Sequence, residues 1–263
     1  MTNEEYLKAI EMRVSRRAFA PRQMDGDTLS VLSQLTEAAN KSGEVRFRFI
    51  EDATGVSRLL SGRYSAIALC GDDNEKTRIK IGYWGETIVL QCVYHGLGTC
   101  WITGTYDENK VLAKLQLPKD ERLYGIIVVG LVKEKQSHKE KMIYNINHKQ
   151  NKPYQKMFAV CDRKLPPYYE KAMKLVERAP SDTNRRDIHF RYENGVISAY
   201  VDEPYSDKSI EFGIAQLHFN LGAASMGVKG EWDKNGCFCT EDRKRIKLPI
   251  ENREEEKGEQ NNE

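Results

Sequence analysis

The stretch GYWGETIVLQCVYHGLGTCWITG, residues 82–104, decides the fold. Ile88, Val89, Leu90, Cys92, Val93 and Tyr94 fall on nearly every side of a helix, so that helix is expected at the centre of the molecule. Gly96 and Gly98 end it, because glycine readily takes the left-handed conformation of a helix stop. TCWITG then reads as a strand. Outward from this core, VRFRFIED (45–52) alternates as a strand does, SAIALCGDD (65–73) is an apolar run stopped by Gly71 and two aspartates, and YGIIVVGLV (124–132) is another strand. At the N-terminus, Thr2-Asn3-Glu4-Glu5 fits a capping box and opens a helix to about Arg13. Asp27-Thr28 caps a second helix with Leu29, Leu32 and Leu35 on one face, and AANKSGE (38–44) follows as a loop. The polar, basic stretch 133–152 reads as a connecting segment.

The order then begins again. PPYYEKAMKLVERAPS (166–181) is a helix leading to a loop, and IHFRYENGVISAYV (188–201) is a hairpin turning at Asn194-Gly195. SIEFGIAQLHFNLGAASMG (209–227) is a second apolar helix ending at Gly227. LTEAAN (35–40) parallels LVERAP (175–180), and RFRFIE parallels HFRYE within one residue. Helix, loop, strand, buried helix and glycine stop therefore occur twice. The expected architecture is α+β: two similar halves in one chain forming a pseudo-dimer, with antiparallel-rich sheets and central buried helices. The halves are 1–150 and 151–250, followed by an acidic, disordered tail at 251–263. Identity between the halves is low, so chance likeness of two α+β halves stays open. A pseudo-twofold interface is a common place for a site.

Composition excludes several functions. The chain has 263 residues, 40% of them hydrophobic and 30% charged, with a formal net charge of +2, which gives no pull toward nucleic acid or an acidic membrane. No apolar run is long enough to span a bilayer, and the acidic start MTNEEYLKAI lacks a secretory core. Six scattered cysteines suit a reducing cytoplasm rather than a disulfide framework. Cys237-Phe238-Cys239 is poorly spaced for zinc, and no metal is expected. His95, His189 and His218 lie in apolar segments and read as core histidines. RKRIK (243–247) beside an acidic tail reads as a solvated face.

Three motifs carry chemistry. RVSRRAF (13–19) has the form R-x-S-x-R-x-F; in an extended segment Arg13, Ser15 and Arg17 point one way and suit a phosphate, or the stretch is a solvated basic turn. In GLGTCWITG (96–104) glycines let backbone approach a flat ligand, and Gly104 presents its N–H freely; a helix stop and core strand is the other reading. APSDTN (179–184) offers Pro180, Ser181 and Asn184 on a rigid turn with spare hydrogen-bonding groups, or is an ordinary turn.

Together these motifs resemble the FMN-dependent nitroreductase family over roughly residues 13–249, closest to a divergent branch in which one chain carries both halves of the usual dimer. The resemblance implies that Arg13, Ser15 and Arg17 hold the FMN phosphate, that Thr103 and Gly104 lie by the flavin N5 edge, and that Pro180, Ser181 and Asn184 reach the ring and ribityl chain from the other half. Arg245 and Lys247 in RIKLP would complete the phosphate site, with Lys133 and Lys135 as rivals. No side chain is implied as a nucleophile, since the chemistry falls on flavin N5 near Gly104. The first half has AANKSGE where the second has APSDTN, and the second lacks R-x-S-x-R, which implies one intact flavin site per chain. The sequence departs from the family's N-x-Q-P-W with Asn184-Arg185-Arg186-Asp187-Ile188; Arg185 or Arg186 could supply a cation near N1. The implied activity is transfer of two electrons from NADH or NADPH to a nitroaromatic, quinone or similar small acceptor by a ping-pong route. The alternative is a catalytically degenerate flavin- or small-molecule-binding protein on the same scaffold. The chain would be a monomeric pseudo-dimer or a weak homo-oligomer.

Overall fold

The computed structural model describes residues 1–118, 120–133, 135–148, 153–161, 164–182, 187–204 and 206–240. Helix α1 (Asn3–Met12) carries the expected capping box: Thr2 Oγ1 accepts from the Glu5 N–H while the Glu5 carboxylate accepts from the Thr2 N–H. Helix α2 (Gly26–Gly43) is capped by Asp25 rather than Asp27, and it runs through most of the AANKSGE expected to be a loop. The polar residues there do helical work. Ala39 is buried, and the Asn40 amide accepts from the Phe47 N–H at 2.7 Å and donates to the Phe47 carbonyl at 2.9 Å. The clasp shortens the following strand, so β1 is Arg48–Ile50 and not 45–52.

Strands β2 (Ser65–Gly71), β3 (Gly98–Ile102) and β4 (Arg122–Gly130) join β1 in an antiparallel sheet of order β1-β2-β4-β3. Every residue of β2 is buried, as expected for a strand covered on both faces. Helix α3 (Glu75–Tyr94) packs on this sheet and is the central helix expected from its apolar surface, although it begins two turns before Gly82. Its N-cap is Asn74, whose side chain accepts from the Thr77 N–H at 2.8 Å, a start signal hidden inside the polar GDDNEK. Asn74→Ala is expected to lower stability by about 1 kcal/mol, read as a shift of the urea unfolding midpoint with unchanged slope. A short helix, α4 (Glu108–Leu112), precedes β4, and the segment 133–152 read as a mere connection holds α5 (His138–His148).

A 3-10 turn (Tyr154–Met157), β5 (Phe158–Cys161) and α6 (Pro167–Val176) lead to the expected hairpin, β6 (His189–Glu193) and β7 (Val196–Tyr200). Asn194 and Gly195 have φ of 50° and 76°, the left-handed pair that a two-residue turn of matching twist requires. Helix α7 (Lys208–Ala224) follows, then β8 (Gly230–Trp232) and β9 (Phe238–Thr240). Strand β5 lies parallel to β6, while β9 approaches β7 through the Ser198–Cys237 bridge. Strands β5, β6 and β7 form a three-stranded sheet in that order, and β8 and β9 a separate two-stranded one.

Helices α3 and α7 meet at glycines. A Cβ on Gly82 would lie 1.9 Å from the Ile210 carbonyl oxygen, and one on Gly213 would lie 1.9 Å from the Ile79 carbonyl oxygen. One core joins α1, α2, α3 and α7 through residues such as Ile10, Leu32, Leu90 and Ile214. A second packs α6, α7 and the hairpin around Phe190 and Phe219, and a third fills the other face of the first sheet around Tyr64 and Ile126. Among the described residues no helix is long and apolar enough to cross a membrane.

Candidate functional site

The segment 13–19 leaves α1 and is pinned on both sides. The Arg16 N–H donates to the Thr99 carbonyl of β3 at 2.8 Å, and the Phe19 N–H donates to the Ser61 carbonyl at 2.9 Å. A third clamp comes from Glu140, the first-turn acid of α5. Its Oε1 accepts from the N–H groups of Arg17 (2.6 Å) and Ala18 (3.1 Å) and from Arg16 Nε (3.2 Å). Its Oε2 accepts from the Ser137 N–H at 2.7 Å, and Ser137 Oγ accepts from the Glu140 N–H, completing a capping box. Burial pushes the Glu140 carboxyl up, but the N–H groups of Arg17, Ser137 and Ala18 outweigh it and hold the group down at about 2.

With Arg16 turned to Glu140, alternation leaves Arg13, Ser15 and Arg17 for the opposite side. All three act on Cys100, the two arginines through their charge and Ser15 through its side chain. Burial raises that thiol's pKa, against the pull of Arg17 and Arg13 and of a hydrogen bond with the Ser15 side chain. Arg13 Nε is buried and has no hydrogen-bond partner. Thr103 and Gly104 are exposed just beyond β3, and a Cβ on Gly104 would meet nothing within 4 Å, so open space lies over that backbone. The helix leading to Pro180 reaches the same region. Arg13 Nε is 3.8 Å from Glu86 Oε1, Glu86 Oε1 is 3.2 Å from His218 Nε2, and His218 Nδ1 is 3.1 Å from the Leu175 carbonyl of α6. Ala179, beside Pro180, is buried in the same core as Ala9 and Ile10 of α1. Pro180 and Ser181 are half-buried, and the Asp182 N–H donates to Glu211 Oε1 at 2.5 Å. Burial pushes the Glu211 carboxyl up to about 7 against the Asp182 N–H, and the charges of Asp182, Asp187 and Asp207 add to the rise.

Asn184, Arg185, Arg186, Arg245 and Lys247 lie outside the described residues, as does the tail. Of the rival cations, Lys133 is drawn to the segment: its carbonyl accepts from Arg16 Nη2 at 2.9 Å. His218 is the satisfied core histidine expected, but His95 is exposed beyond the end of α3, and half-exposed His189 pairs with Asp202 at 2.9 Å. Both follow from strand and helix ends facing water. Sequence reasoning missed Glu86, Glu140 and Glu211. Glu86 had a legible signal, a lone acid in a helix apolar all round, which demands a buried partner. Ser137-x-x-Glu140 was legible as a capping box. Glu211 had none. Among the described residues no group of three or more His, Cys, Asp or Glu could hold a metal ion.

A family model described as "Putative TM nitroreductase" matches residues 5–223. Among solved structures, a nitroreductase from Thermotoga maritima MSB8, itself described as putative, shares 19% identity over 91% of this chain and 94% of its own, with a TM-score of 0.61. A nitroreductase family protein of Clostridium difficile 630 matches 63% of this chain and 100% of its own at 18% identity, with a TM-score of 0.45. An FMN-dependent nitroreductase of Clostridium difficile R20291 matches 50% of this chain and 91% of its own at 18% identity, with a TM-score of 0.41. Among curated proteins, none matches the chain. The Thermotoga likeness establishes a shared α+β fold with antiparallel sheets.

Proposed function

The chain belongs to the family described as "Putative TM nitroreductase", and from that premise we propose that it is an FMN-dependent oxidoreductase. It would pass two electrons from NADH or NADPH to a nitroaromatic, quinone or similar acceptor by a ping-pong route. The observation that carries this reading is that Arg13, Ser15 and Arg17 all act on the Cys100 thiol, with Arg13 Nε buried and without a hydrogen bond although Glu86 lies 3.8 Å away. A buried guanidinium nitrogen that makes no hydrogen bond, beside a second cation and a hydroxyl, suits a phosphate group. The residues present therefore fit FMN, and the flavin when bound would supply hydride acceptance and donation at N5.

The chain's own residues would do the following. Arg13, Ser15 and Arg17 hold the phosphate, with Arg245 and Lys247, or their rivals Lys133 and Lys135, as its completing cations. Thr103 and Gly104 border the ring, and the Gly104 N–H directs a hydrogen bond at its edge without a side chain in the way. Pro180, Ser181 and Asn184 close the site from the other half. The open space over Gly104 would admit donor and acceptor in turn, as a ping-pong order requires.

We also read the chain as two joined halves, 1–150 and 151–250, that dock as subunits of a dimer would. Three pairs support this: Gly82 with Gly213, Gly96 with Gly227 and Trp101 with Trp232 stand at one constant spacing along the chain. Gly96 and Gly227 have φ of 80° and 79°. The contact of Gly82 with Ile210 is returned by that of Gly213 with Ile79, the reciprocity expected at a twofold interface. Cys70, Cys92, Cys100, Cys237 and Cys239 are unpaired, which suits a reducing compartment, and we assign the cytoplasm.

The purified protein should be yellow, or become so with added FMN, and should oxidise NADH or NADPH when an acceptor is present. A colourless protein that takes up no FMN would overturn this reading in favour of a degenerate binding protein. Replacing both Arg13 and Arg17 with alanine should weaken FMN binding by roughly 100-fold or more while leaving riboflavin within about threefold, since each lost charged hydrogen bond costs about 1.5–3 kcal/mol.

A further inference from the structure

Glu86 is fully buried on α3, the central helix of the first half, yet it lies beside the guanidinium assigned to the phosphate. A carboxylate there would cancel the charge of Arg13 and compete with phosphate for it. The surroundings of Glu86 resolve this conflict. Its Oε2 accepts from Trp101 Nε1 at 2.8 Å, a neutral donor that fixes the carboxyl plane. Gly85 makes the room: a Cβ there would come 2.5 Å from the Trp101 ring. Its Oε1 faces Nε2 of His218, which is fully buried on α7 of the second half.

A donor count fixes the number of protons. The Leu175 carbonyl can only accept, so His218 Nδ1 carries a hydrogen toward it. The contact between Nε2 and Glu86 Oε1 then needs one more hydrogen, either on the imidazole or on the carboxyl. In both placements Glu86 and His218 together are neutral, and the cluster of Arg13, Glu86 and His218 keeps a net charge of +1.

We propose that His218 is a positioning residue of the phosphate seat: its proton neutralises Glu86, leaving the charge of Arg13 for the cofactor's phosphate. The second half thereby supplies a part of the phosphate site that never touches the phosphate. This rests on the reading of Arg13 as a phosphate ligand. The device also makes that seat depend on the docking of α7 against α3, because Glu86 meets its neutralising proton only when the two helices are packed.

Calorimetric titration of FMN and of riboflavin into the wild type and the H218Q, E86Q and E86Q/H218Q variants tests this. In H218Q the carboxylate of Glu86 is left without its proton and captures Arg13. The preference for FMN over riboflavin should fall about tenfold or more, as expected for a neutralised cation at the phosphate. In E86Q the histidine becomes neutral and the net charge stays +1, so the preference should stay within about threefold of wild type. The double variant should restore what H218Q loses. A role in packing alone would make the double variant no better than H218Q, and a charged Glu86 already paired with Arg13 would make E86Q raise the preference about tenfold. Either result overturns the proposal. If circular dichroism shows H218Q unfolded, E86Q and the double variant still decide, since both must keep the wild-type preference. A wild type that binds FMN no better than riboflavin would instead overturn the phosphate seat itself.

Discussion

Replacing Glu140 with alanine is expected to destabilise the protein by about 3 kcal/mol or more, because it strands a buried cation. Arg16 is 7% exposed and would lose its counter-charge. The N–H groups of Arg17, Ala18 and Ser137 would lose their acceptor together. The melting temperature should fall by about 10 °C for a chain of this size. FMN affinity should fall with it, because the same carboxylate fixes the backbone from which Arg13, Ser15 and Arg17 project. Glu140→Gln keeps an oxygen acceptor and should lose less. A melting temperature within a degree of wild type for the alanine variant would show that α5 does not organise the segment. The pH dependence has a definite sign. The folded carboxyl titrates at about 2, below its ordinary value of 4.5. Its contribution is therefore complete above the ordinary value and is lost as pH falls from there toward 2. The glutamine variant should show a shallower loss of stability across that window.

What could be read from the chain before its structure follows a physical line. The central helix was legible because apolar residues on every side leave it no exposed face, and α3 is buried along most of its length. The hairpin was legible because Asn194-Gly195 suits one turn type. The end of α2 was not. AANKSG looks like a loop by composition, and its helicity depends on the Asn40 clasp to Phe47 and on Gly43 fitting against Trp84, where a Cβ would come 2.2 Å from the indole. Those contacts are between elements, and no local pattern announces them. The strands β5, β8 and β9 escaped for the same reason: each is three or four residues long and owes its pairing to a neighbour. In the site, the buried carboxylates Glu86 and Glu140 were missed because each acts through a partner far along the chain, His218 and Arg16.

Gly82→Ala or Gly213→Ala should each cost about 3 kcal/mol or more, at or beyond the upper range for overpacking a core, because the atom met is backbone and cannot rotate away. Each added methyl would sit 1.9 Å from a carbonyl oxygen of the facing helix, so α3 and α7 must separate by more than an ångström. An alanine in an exposed helix would do the opposite, adding stability through its better helix propensity. The sign of the effect therefore reports the crossing itself. Separation would also lengthen the Glu86–His218 contact, now 3.2 Å, and so loosen the link between Arg13 and α6. Both variants should thus lower FMN affinity along with the urea midpoint, although neither residue lies in the proposed site. Because the two contacts exchange the same partners, the double variant should cost less than the sum of the singles: once the first methyl has parted the helices, the second finds room. A pair of substitutions that add independently, or alanine variants as stable as wild type, would mean that the two helices do not meet at these glycines, and the reading of the chain as two docked halves would lose its principal contact.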